Sequence, residues 1–219
     1  MKKFNIKNRK DSRTEMEDTI SPRTYNALLG GTLLYGFLVN ALLVLVARPL
    51  VEAIDPVVFL IGYLVSALVG ALIANKSSNP AISFVGYNLI VVPVGLLLAI
   101  VLPGYDPRQI FLAALLTGVV TLVMMLLTVS FPNFFASLGS TLFWSLLICV
   151  AVEFIALLLG YGGDIFNWIF VAIFSLYIGY DWHRAQVYSK TVDNAIDSAV
   201  DLYLDIINVF LRILDFLDN

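Results

Sequence analysis

Ala195–Asn219 reads AIDSAVDLYLDIINVFLRILDFLDN. Taken as one helix at about 100° per residue, Asp197, Asp201, Asp205, Asn208, Arg212 and Asp215 fall within an arc of about 80°. The remaining surface is mostly Leu, Ile, Val, Phe and Tyr. A helix with one narrow polar stripe suits a membrane bundle in which the stripe meets water or polar partners. Just upstream, Ser175–Arg184 reads SLYIGYDWHR and puts Asp181 at the end of another apolar run. Asp181 and Asp205 therefore stand at the end of one hydrophobic helix and near the start of the next. A short polar turn, expected over residues 183–197, lets the two acids meet.

Composition agrees with a membrane setting. The chain has 219 residues, of which 60% are hydrophobic and 13% charged, and its mean hydropathy is +0.90. A soluble domain carries about 25% charged residues. The expected fold is all-α, a polytopic membrane protein with one compact membrane domain. The net charge of −3 says little about partners, because the charges are unevenly placed. Cys149 is the one cysteine and His183 the one histidine, so an intrachain disulfide is excluded. So is a zinc site built from several cysteines or from paired cysteines and histidines. No nucleic-acid partner and no resident cofactor are expected; the expected partners are membrane lipids, calcium ions and protons.

Residues 1–23 form a basic tail with Lys2, Lys3, Lys7, Arg9, Lys10, Arg13 and Arg23. Its low apolar content predicts mobility at least up to Ser21-Pro22. It does not read as a signal peptide, because the apolar run that follows is too long and lacks an A-x-A-like site. Residues 24–219 then form the membrane domain. Seven apolar segments are predicted, roughly at 24–47, 57–74, 82–102, 109–130, 134–159, 165–182 and 198–217. Each is near the ~20 residues that cross ~30 Å of hydrocarbon. Such spans must be helical, since each backbone group needs a partner. Pro- and Gly-containing punctuation separates them, as at Asp55-Pro56, Asn79-Pro80 and Asp106-Pro107.

With the N-terminus in the cytoplasm and the segments alternating, ten Lys and Arg residues lie inside and three, Arg48, Arg108 and Arg212, outside. That bias predicts a multi-pass cell-membrane protein with its N-terminus cytoplasmic and its C-terminus outside. Asp181 and the turn after it then lie on the cytoplasmic side.

A carboxylate at membrane depth is costly and is a functional candidate. Two close together cannot both ionise cheaply, so Asp181 and Asp205 are expected to hold one proton between them. The alternative is that both are ordinary solvated caps. Asp193, Asp197, Asp201 and Asp205 form an i, i+4 ladder. Like charges at that spacing destabilise a helix unless water or a cation relieves them. The ladder reads as a cation vestibule at Asp201 and Asp197, or, better for Asp193 and Asp197, as a solvated first turn favoured by the helix dipole. Glu153 is the one acid deep in an apolar run and is expected to face the bundle interior, where Glu153, Asn208 and Arg212 are candidate pore-lining residues. Lys76 is a candidate counter-ion for the acids, although snorkelling to headgroups is its default. Asn79-Pro80-Ala81 resembles the motif of water channels, but a single copy reads better as an N-cap with proline at the first helical position. Gly30-Gly31, Gly36, Gly86 and Pro93 read as kinks and close helix contacts rather than as sites.

Phe174–Gln186, FSLYIGYDWHRAQ, a short charged turn and Asp197–Leu214, DSAVDLYLDIINVFLRIL, together resemble the Bax inhibitor-1 family, also called TMBIM, with its bacterial YetJ-like and YccA-like members. The resemblance is specific over Phe166–Leu214 and general before that. It implies seven transmembrane helices with the C-terminal helix central and wrapped by the other six. It implies a pH-sensitive calcium leak whose proton sensor and gate is an aspartate pair, matched here by Asp181 and Asp205. These two would be the positions at which calcium is transiently held. It also implies a basic residue ending the second helix that engages the first aspartate. Lys76 is the nearest match where Arg is expected, and Lys lacks the planar fork.

Two other functions compete. An interaction protein regulating a membrane protease or a stress response would depend on the basic tail more than on the aspartates. An intramembrane aspartyl protease would need a GxGD motif. Asp205 follows Asp201-Leu202-Tyr203-Leu204 and Asp164 follows Tyr161-Gly162-Gly163, so neither supplies it. No enzyme is expected.

Overall fold

The computed structural model describes residues 19–160 and 164–218, with Asp164 in its backbone only. The mobility expected of the basic tail lies outside these residues up to residue 18. Among the described residues all regular structure is helical: α1 (Pro22–Val46), α2 (Arg48–Glu52), α3 (Pro56–Lys76), α4 (Pro80–Val101) with a single 3-10 turn after it (Leu102–Gly104), α5 (Pro107–Ser130), α6 (Pro132–Ser137), α7 (Gly139–Leu158), α8 (Asp164–Val187) and α9 (Val192–Asp218). Six of these, α1, α3, α4, α5, α7 and α8, are long and apolar enough to cross a membrane. α9 has the length, 27 residues, but carries the acidic ladder.

Helix starts follow local chemistry. Asp55 accepts from the amides of Val57 and Val58, Asn79 from that of Ala81, and Asp106 from that of Arg108, each with proline at the head of the helix. Asn79-Pro80 is thus the cap expected of it. Asp106 and Gln109 complete a reciprocal capping box.

The chain forms two compact units. The first comprises residues 1–104 and 187–201. In it α3 and α4 meet backbone to backbone: a Cβ on Gly70 would lie 2.6 Å from the Gly86 carbonyl oxygen. Gly95 of α4 leaves the same kind of room for Asn40 and Leu43 of α1. Gly30 and Gly31 do not mark a contact, because nothing lies within 4 Å of a Cβ at either. Tyr25 and Tyr87 are fully buried, and the Tyr87 hydroxyl donates to the Thr32 carbonyl at 2.9 Å.

The second unit comprises residues 105–186 and 202–219. The segment expected as one helix over 134–159 is two, α6 and α7, parted at Leu138. The break brings Gly139 against α8, where a Cβ would lie 2.5 Å from the Tyr180 hydroxyl. The Phe135 ring packs on Gly179, and Thr128 donates to the Gly179 carbonyl at 3.2 Å.

The polar turn expected over 183–197 is mostly helix. α8 runs on to Val187 and α9 begins at Val192, leaving a four-residue link. Thr191 explains the early start: its hydroxyl accepts from the Asn194 amide at 3.1 Å, an N-cap bond. From Asp193 to Leu214 no residue of α9 is exposed.

Candidate functional site

In the second unit α8 delivers Asp181 and α9 delivers Asp205. They are 7% and 6% exposed, far from the solvated-cap alternative. Tyr177 stands one turn before Asp181 on α8, and Asp205, Asp181 and Tyr180 all act electrostatically on its hydroxyl. Both acids thus share the neighbourhood of one phenol. Because α8 continues past Asp181, Arg184 falls one turn on, and its Nη1 donates to Asp181 Oδ1 at 2.7 Å. Its guanidinium also lies 5.3 Å from the Tyr180 ring centroid. Arg184 is thus a counter-ion on Asp181. Lys76, a candidate for such a role with snorkelling as its default, ends α3 and belongs to the first unit. Arg184 was legible at the i, i+3 spacing, had the helix been extended beyond residue 182.

A second polar set joins α7, α8 and α9. Arg212 donates from Nη1 and Nη2 to the two carboxylate oxygens of Glu153, at 2.6 and 3.0 Å. Nη1 also reaches Asn167 Oδ1 at 3.2 Å, and Asn167 in turn donates to Asp215 at 2.6 Å. The Arg212 guanidinium lies 4.1 Å from the Phe170 ring centroid. Glu153 and Arg212, candidate pore-lining residues, form an ion pair. Asn208 directs its amide to the Leu204 carbonyl of its own helix, at 2.8 Å. Sequence reasoning missed Asn167, although a lone Asn within an apolar span is a signal for an interhelical bond. Nearby, burial and then the charges of Asp215 and Asp218 raise the Tyr105 phenol above its ordinary pKa.

The first unit holds the rest of the ladder. Asp193 and Asp197 are buried and Asp201 is half-buried, which corrects the solvated first turn. Ser83 of α4 donates to Asp193 at 2.5 Å. Tyr25 of α1 donates to the Asn194 carbonyl at 3.3 Å and lies 3.0 Å from the Ser198 hydroxyl. Lys190 sits over the Tyr25 ring at 4.3 Å, and burial lowers its pKa. These partners come from α1 and α4, so α9's own sequence could not announce them. Among the described residues no group of three or more acids, histidines or cysteines is arranged to hold a metal ion. Asp181 and Asp205 offer two carboxylates, short of the 6–8 oxygens calcium takes, so carbonyl oxygens or water would have to complete any shell.

The sequence pattern of the family described as "Inhibitor of apoptosis-promoting Bax1" matches residues 18–219, which takes in every helix described above. The chain belongs to the Bax inhibitor-1 family. Over 107 residues it is 36% identical to proteins of Helicobacter pylori strains 26695 and J99, each described as an uncharacterized protein. That match covers 46% of this chain and 45% of each relative, so the chain spans about half the length of the relatives it matches. As a Bax inhibitor-1 family member the chain is a multi-pass membrane protein, and its apolar helices meet lipid.

Proposed function

We propose that this protein is a pH-sensitive leak for calcium or like cations, gated by Asp181 and Asp205 sharing a proton. The observation that carries the reading is the burial of both carboxylates, Asp181 on α8 and Asp205 on α9, in a chain of the Bax inhibitor-1 family. Arg184 bears on Asp181 directly, and the Tyr177 phenol lies within electrostatic range of both acids. A shared proton holds α8 and α9 together at this point, and its loss leaves two like charges in a poorly solvated place, which pushes the helices apart. Ten inside basic residues against three outside support a cytoplasmic N-terminus and an external C-terminus. In this reading α9 is the seventh crossing, enclosed by the other six. Asp197 and Asp201 then supply the negative potential that concentrates cations, and the protein is not an enzyme.

The test is calcium flux into proteoliposomes across a pH series. Asp181→Asn and Asp205→Asn should each flatten the pH response, and the double variant should add little, because one shared proton is removed either way. A normal pH-dependent flux in both single variants would overturn the reading.

A further inference from the structure

A groove of about 390 Å³ in the first unit is lined by Val69, Leu72, Ile73 and Lys76 of α3, by Ser77 just after it, and by Ile82 of α4. That is within the range of small-ligand sites, about 300–1,000 Å³. Its walls belong to two membrane-spanning helices joined by three residues, 77–79. The helices are locked together at Gly70 and Gly86, next to the groove. Val69, Leu72 and Ile82 are each between 41% and 50% exposed, so the apolar lining is open to hydrocarbon. Lys76 is exposed at the end of α3. The Ser77 hydroxyl is engaged on the link, accepting from the Asn79 amide at 2.9 Å, so Lys76 is the cation of the lining.

An open apolar groove on membrane-spanning helices that ends at a cation is complementary to one class of molecule. We infer that this groove is a binding site for an anionic phospholipid. One acyl chain lies along Val69, Leu72, Ile73 and Ile82, and the phosphate rests on the Lys76 ammonium. The apolar wall alone would accept any lipid chain, so Lys76 sets the headgroup preference. One Lys near an anionic headgroup predicts about a fivefold preference over a zwitterionic lipid.

Native mass spectrometry of the full chain in detergent tests this, titrating dioleoylphosphatidylglycerol against dioleoylphosphatidylcholine. One phosphatidylglycerol should bind per chain with about fivefold preference. Lys76→Gln should abolish the preference and Lys76→Arg keep it. Ile82→Trp should weaken binding of both lipids by filling the groove, and free glycerol phosphate should not compete, because it lacks the chain. Equal binding of the two lipids overturns the proposal. So does a preference that survives Lys76→Gln, competition by glycerol phosphate, or a second copy of the chain occupying the groove.

Discussion

Arg212 holds Glu153 fork to fork, with Nη1 2.6 Å from Oε1 and Nη2 3.0 Å from Oε2. The side chains are 28% and 21% exposed, so both ions have lost much of their water. Planar bidentate pairing is the strong form of this contact. Asn167 extends it to Asp215 and ties α7, α8 and α9 into one polar set.

Glu153→Gln and Arg212→Gln should each lower stability by about 2 kcal/mol, the value of a hydrogen bond to a charged partner. The double variant should cost less than the two single losses together, since either change already breaks the pair. Thermal unfolding in detergent measures this. Full additivity would mean that the two side chains do not depend on each other.

Gly70→Ala should be destabilising by about 1–3 kcal/mol. The new methyl would meet the Gly86 carbonyl at 2.6 Å, and that atom is backbone, which cannot swing aside. Gly30→Ala is the control, with open space around its Cβ position and helix on both sides. It should unfold at or above the wild-type temperature. Equal effects from the two substitutions would remove the close crossing of α3 and α4 from the account.

What could be read ahead of the structure was whatever depends on a segment's own residues. The apolar runs became helices, and Asn79, Asp106 and Asp55 start helices as cap residues before proline do. What could not be read depends on a partner elsewhere in the chain. Asp193 and Asp197 are polar and look solvated, yet the first turns of α9 are buried, with Tyr25 and Ser83 meeting them across more than a hundred residues of sequence. Glu153 and Arg212 were each legible as interior candidates, but their pairing joins positions 59 residues apart. The parting at Leu138 comes with the close approach of Gly139 to Tyr180, a contact no local propensity encodes.

Tyr105 lies between α4 and α5 and supplies a pH prediction. Burial and then Asp215 and Asp218 raise its phenol, so the folded state keeps the proton where the unfolded chain loses it. Its contribution to stability is intact below the ordinary value of about 10 and is lost as pH rises through the raised one. The difference between tyrosinate titrations of wild type and Tyr105→Phe should show a midpoint above about 10. Asp215→Asn should bring that midpoint part of the way back, burial being the larger cause. A midpoint at the ordinary value would separate Tyr105 from the two acids.

Arg184 offers the sharpest test of the proposed gate. It sits one turn beyond Asp181 on α8, 2.7 Å from the carboxylate. Its charge offsets that of the aspartates when the shared proton is gone. Arg184→Gln removes that offset, so the pair should hold its proton to higher pH. The midpoint of calcium flux against pH should then move to the alkaline side. Arg184→Lys should restore part of the shift, since it keeps the charge and loses the planar fork. Lys76→Gln is the companion variant, because the family resemblance assigns the counter-ion to the second helix. If Lys76→Gln moves the midpoint and Arg184→Gln leaves it unchanged in a folded protein, the cation that sets the gate is Lys76, and the ion pair on α8 only braces its own helix.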